Sequence, residues 1–165
     1  MEQRQPLRSW KRDLLGLLGF VAVCLAVSGL GGAVTATSVG TWYPELAKPW
    51  FTPPEEVFGP VWTALFLLMA VAAWRIWRGP PARGRLAALN WFGVQLVLNP
   101  LWSVVFFGLR APGWALVAIM LLLAAIVGTV RRFWGLDRWA GAALIPYLAW
   151  VAFAASLNGG IWWLN

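Results

Sequence analysis

Five apolar runs, at residues 14–35, 57–77, 86–107, 114–130 and 139–157, occupy most of this 165-residue chain. Each approaches the roughly 20 residues that a helix needs to cross about 30 Å of hydrocarbon. Lipid offers no partner to an open backbone N–H or C=O, so a spanning segment must be a helix or part of a closed barrel. The runs lack the period-two alternation of barrel strands, which leaves helices. The expected fold is therefore an all-α membrane protein, a five-transmembrane-helix bundle. Only 12% of the residues are charged, against the roughly one quarter of an ordinary hydrated domain.

Five spans leave no room for a soluble domain. The expected organisation is a basic tail at 1–13 and a single transmembrane domain at 14–165, with a lid-like connection at about 37–56. The N-terminus imitates a secretory signal, with basic residues, an apolar run and the small-residue site Val34-Thr35-Ala36. Its apolar run exceeds the usual core of about 7–15 residues, so the helix is expected to be retained.

The net charge of +7 raises the question of a nucleic-acid partner, which the placement of the cations answers. Arg4, Arg8, Lys11 and Arg12 precede the first span, Arg75, Arg78, Arg83 and Arg85 surround the second connection, and Arg131, Arg132 and Arg138 fill the fourth. The opposite side has only Lys48 and Arg110. This is a positive-inside pattern. It gives a multi-pass protein with a cytoplasmic N-terminus, whose partner is the lipid bilayer and not nucleic acid; a bacterial inner membrane is the expected location.

A single cysteine, Cys24, and no histidine exclude an intrachain disulfide and an imidazole ligand, so no metal and no obligatory cofactor are expected. All six acids stand at span ends or in connections, which argues against a proton pathway at membrane depth and against hydrolysis by a carboxylate pair. Glu55 and Glu56 suit the positive end of the second helix, with Thr52 as its candidate N-cap.

Eight of the 14 tryptophans, Trp10, Trp77, Trp91, Trp114, Trp134, Trp139, Trp162 and Trp163, fall near span ends, where indoles form an interfacial belt. Trp62, Trp102 and Trp150 lie within or just inside spans. In the third span Trp91, Gln95, Asn99, Trp102 and Phe106 recur at helical spacing, and in the fifth Tyr147, Trp150, Ala154 and Asn158 do the same. An unpaired buried amide costs about 1–3 kcal/mol, so Gln95 and Asn99 should face the bundle interior. They serve there as interhelical glue or as polar contacts within a ligand cavity. Pro100 and Pro146 should kink or open their helices, Pro100 by removing the bond to the Leu96 carbonyl and Pro146 by freeing that of Ala142. Small residues at Ser28-xxx-Gly32, Gly29-xxx-Ala33 and Ala124-xxx-Gly128 permit close helix approach, within one protomer or between two. The connection from Trp42 to Pro54 is dense in rings and prolines, the composition of a shaped lid.

The ordered set Trp42-Tyr43 with Leu46, Lys48-Pro49-Trp50 and Pro53-Pro54, Phe58-Gly59-Pro60-Val61-Trp62, Gln95-Leu96 with Asn99 and Trp102, Phe106-Phe107-Gly108, Gly113-Trp114-Ala115-Leu116, and Pro146-Tyr147 with Trp150, Phe153-Ala154 and Leu157-Asn158 resembles the tryptophan-rich sensory proteins, also called translocator proteins or peripheral benzodiazepine receptors. The resemblance runs from the first span to nearly the end of the chain. It implies a homodimer that binds a small hydrophobic molecule, a porphyrin or other haem-pathway tetrapyrrole, between the helices beneath the first connection. The implied ligand-binding residues are Trp42, Tyr43 and Pro53 of the lid, Phe58, Trp62 and Phe66, then Gln95, Asn99 and Trp102, Trp114 and Leu121, and Trp150, Ala154 and Leu157. It further associates Trp62 and Trp150 with light-driven porphyrin breakdown. The family's animal members carry a Tyr and an Arg for cholesterol where this chain has Gly159 and Trp163, and Pro100 is a further departure.

Elementary chemistry fits a tetrapyrrole, whose flat π-surface stacks on indole faces. Lys48 and Arg110, the two lid-side cations, can one or both meet its propionates, and Lys48 can equally sit at headgroup level. Without histidine, recognition by shape and stacking is expected over iron ligation, for which Cys24, Met69, Tyr43 and Tyr147 are poor ligands. The expected function is a membrane sensor or carrier; the alternatives are a photo-oxidative porphyrin-degrading enzyme and a transporter of amphipathic metabolites.

Overall fold

The computed structural model describes residues 10–165, so most of the basic tail, including Arg4 and Arg8, lies outside the described residues. Helix α1 spans Trp10–Val39, longer at both ends than its apolar run. At 1.5 Å per residue its 30 residues reach about 45 Å, through the hydrocarbon and into the headgroups. The other helices are α2 (Phe58–Arg78), α3 (Arg85–Ser103), α4 (Pro112–Leu136), α5 (Arg138–Ala143) and α6 (Ile145–Leu164). The last two share one span, and the five spans form the expected all-α bundle.

Local chemistry sets the boundaries. Gly84 adopts φ 86° before α3, a left-handed conformation that suits a residue without Cβ. Pro112 opens α4, where a missing N–H costs nothing. Thr52 does not cap the second span, since a short 3₁₀ turn, Glu55–Val57, intervenes with Pro54 at its N-cap. Thr52 instead bonds back to the Pro49 carbonyl through its hydroxyl at 2.7 Å and its N–H at 3.0 Å.

The two membrane prolines act differently. Pro146 accompanies a local opening of one residue: α5 stops at Ala143, Leu144 keeps αR dihedrals while its N–H bonds to Gly141 O at 3.1 Å, and Pro146 occupies the first turn of α6. Pro100 stays inside α3, which passes into a π-helical turn at Val104–Gly108. There the Leu109 N–H reaches back five residues to Val104 O at 2.8 Å. The Ser38 hydroxyl of α1 donates to Phe107 O at 2.6 Å and ties this widened turn in place.

At the end of the bundle where the cations concentrate, Arg75 of α2 meets Asp137 at 2.8 Å. The same carboxylate caps α5 through the N–H groups of Trp139 and Ala140 at 2.9 and 3.2 Å. Gly128 of α4 lies against the Trp91 ring, so this small residue serves packing within the protomer. Gly29 and Gly32 of α1 face open space.

Candidate ligand site beneath the first connection

The connection after α1 folds as a cover over the ends of the helices. A 3₁₀ turn at Tyr43–Glu45 points Tyr43 inward, where it is buried against Phe106 and Phe107 at ring separations of 6.4 and 5.7 Å. Trp42 meets Phe106 edge-on at 5.9 Å. Burial, and then the neighbouring charge of Glu55, raise the Tyr43 phenol above its ordinary pKa. Lys48 places its ammonium 4.7 Å from the Tyr43 ring and donates to Pro44 O at 3.3 Å. Three attachments hold the cover to α6, one of them the Phe51 ring against Phe153 at 6.2 Å. The Ala47 N–H donates to Asn165 Oδ1 and the Asn165 amide donates to Ala47 O, both at 3.0 Å. Pro49 sits on Gly160, where any Cβ would collide with its ring.

Beneath the cover, Trp102 joins two groups of rings. It contacts Phe106 at 5.8 Å and Phe107 at 6.1 Å on the lid side, and Trp62 at 6.5 Å below. Trp62 also meets Phe66 at 6.0 Å and Tyr147 at 6.3 Å. A third group, Phe58, Trp150 and Phe153, has separations of 5.8 and 5.5 Å around Trp150. The polar atoms of α3 and α6 pair across the bundle: Asn99 donates to the Tyr147 hydroxyl at 3.0 Å, and the Trp102 N–H donates to Asn158 Oδ1 at 3.0 Å. Asn158 in turn donates to Pro112 O at 2.7 Å, which fixes the start of α4. Asn99 thus serves as glue between helices.

Gln95 does not. It is 1% exposed, one turn from Asn99 on the same face of α3, and neither of its amide atoms has a hydrogen-bond partner. The indole N–H of Trp150 is likewise buried and unpaired. Such groups forgo about 1–3 kcal/mol each. The interior therefore combines π-faces with two donors and an acceptor that have no partner within the protein.

The structure brings together Trp42, Tyr43, Trp62, Phe66, Asn99 and Trp102 through one network of rings and amides, while Phe58 and Trp150 form a separate group with Phe153. Ala154 and Leu157 are buried on α6, Pro53 is half-buried in the cover, and Lys48 stays at its outer edge. Trp62 and Trp150 have different ring partners. Trp114 and Leu121 stand apart at 74% and 56% exposed, along an outer groove between α3 and α4. Five further members of these groups, Phe106, Phe107, Tyr147, Phe153 and Asn158, are not among the expected ligand residues. Tyr147 and Asn158 stand on the fifth-span stripe with Trp150, whereas Phe107 has no stripe and reaches inward only because of the π-helical turn.

Fold and interior together define a multi-pass integral membrane protein with an aromatic core closed by a Trp- and Pro-rich connection. The family model for the TspO/MBR family matches residues 20–164, and this chain belongs to that family. It is 38% identical to the tryptophan-rich protein TspO of Archaeoglobus fulgidus, over 93% of this chain and 99% of the relative. The tryptophan-rich sensory protein of Cereibacter sphaeroides is also 38% identical, over 86% of this chain and 85% of its own length. The human translocator protein is 37% identical over 73% of each.

Proposed function

We propose that this protein is a membrane sensor or carrier that binds a flat tetrapyrrole such as a porphyrin among Trp62, Trp102 and Trp150, beneath the first connection. The observation that carries this reading is the unsatisfied Gln95 amide and Trp150 N–H within an aromatic interior. A ring with pyrrole nitrogens or carboxylate arms can pair with them while stacking on the indoles, a stabilisation of about 0.5–1.5 kcal/mol per aromatic pair beyond area burial. The names of the relatives, sensory protein and translocator protein, support the sensing and carrying roles. The same proposal includes a cytoplasmic N-terminus in a bacterial inner membrane, and a homodimer for which Gly29 and Gly32 of α1 offer an open face.

Titration of the purified protein with free-base protoporphyrin, read by tryptophan quenching, tests the reading. Trp62→Phe and Trp150→Phe should each retain more binding than the corresponding Leu variants, since a π-face survives. Undiminished binding by a folded double Leu variant would refute the placement. A second reading, light-driven ring breakdown, draws support from the contiguous oxidisable rings Trp62, Trp102 and Tyr147. New absorbing products from an illuminated, aerated complex, lost with Trp62→Phe, would favour it.

A further inference from the structure

Trp114 and Leu121 point to a second site, outside the bundle. Two grooves meet on the outer surface of α4. The first, of about 850 Å³, opens at the lid end between Trp42, Arg110 and Trp162. The second, of about 330 Å³, continues between Leu98, Leu101 and Val105 on one wall and Ala118 and Leu121 on the other. They share Ala111, Trp114 and Val117. From Pro112 to Leu121 the course along α4 is about 14 Å, close to half of the roughly 30 Å hydrocarbon layer. The groove is thus long enough to run from headgroup level through one leaflet to the bilayer midplane, polar only at its outer end.

Arg110 supplies the charge at that end. It is the non-glycine residue with a positive φ, 51°, among the described residues. Its guanidinium lies 6.0 Å from the Trp42 ring, and no carboxylate pairs with it among those residues. Lys48, the other lid-side cation, is occupied by Pro44 O and the Tyr43 ring. A guanidinium matches the oxygens of a phosphodiester, and the apolar walls below it match an acyl chain. A symmetric copy of this face is a poor occupant, since a two-fold contact pairs like surfaces and would bring one Arg110 toward another.

We propose that this groove holds one anionic phospholipid, its phosphate on Arg110 and one acyl chain along Trp114, Val117 and Leu121. The site lies outside the interior ligand site and adjoins the cover through Trp42, Leu46 and Asn165, so lipid occupancy bears on the cover from outside.

Native mass spectrometry of the full chain in detergent tests this, with dioleoyl phosphatidylglycerol and dioleoyl phosphatidylcholine as probes. The expected result is one retained phosphatidylglycerol, favoured about tenfold over phosphatidylcholine. Arg110→Gln should bring the two lipids to parity, and Arg110→Lys should keep most of the preference. Val117→Trp, at an exposed groove position, should reduce retention of both without loss of helix content. Equal retention of both lipids by the original chain, or a preference untouched by Arg110→Gln, would overturn the proposal. So would efficient disulfide linkage between copies carrying Leu121→Cys in a Cys24→Ser background, because the occupant would then be a second copy.

Discussion

Gln95 sets stability against binding. Its amide is buried and unpaired, so Gln95→Leu, close in volume, should raise stability by about 1–3 kcal/mol, read as a higher unfolding temperature in detergent. Porphyrin affinity should fall in the same variant, because the ligand loses its polar partner. Stabilisation with unchanged affinity would make Gln95 a structural defect rather than a binding group. Tyr43 gives a pH signature of the opposite kind. Its phenol is raised above the ordinary value by burial and by Glu55, so the folded cover keeps a proton that the unfolded chain has lost. The resulting stabilisation is complete below about pH 10 and disappears as pH climbs through the folded value. Tyr43→Phe should flatten that alkaline loss while leaving the neutral unfolding temperature nearly unchanged.

Among the elements, the junction of α4 and α5 depends on one carboxylate. Asp137 caps α5 and pairs with Arg75. Asp137→Ala should cost about 1–2 kcal/mol, most of it from the cap, since the ion pair is partly exposed and contributes at most about 1 kcal/mol. Asp137→Asn, which keeps a capping oxygen, should lose much less; equal losses in thermal unfolding would assign the energy to the pair. The spans themselves were legible from hydropathy, and the stripe of Gln95, Asn99, Trp102 and Phe106 from helical spacing. Facing was not legible everywhere. On α4 the lipid-facing and interior sides are both apolar, so no amphipathic signal separates exposed Trp114 and Leu121 from buried Ala115, Ile119 and Leu122. Phe107 is legible only within the motif Phe106-Phe107-Gly108, since a π-helical turn obeys a different spacing, and Pro146 signals a local opening without fixing it at Leu144.

For the whole molecule, the uneven distribution of cations predicts the orientation. With a cytoplasmic N-terminus, the first connection faces outward and the α2–α3 connection inward. In a Cys24→Ser background, an impermeant thiol reagent applied to intact cells should label Glu45→Cys and spare Arg83→Cys. The reverse pattern would invert the topology and place both the cover and Arg110 in the cytoplasmic leaflet.

The paired bonds between Asn165 and Ala47 have a consequence for timing. Each contributes a net of roughly 0.5–1.5 kcal/mol, so the two together keep the cover closed about 5–150 times more often than open. A fastening that does not touch the ligand slows capture and escape by the same factor. If the ligand site is as proposed, affinity is left to the rings and to Gln95, while the end of the last helix governs how long each visit lasts. A weakly stacked molecule can thereby be held long enough to register, and a brief fluctuation in its concentration passes unrecorded.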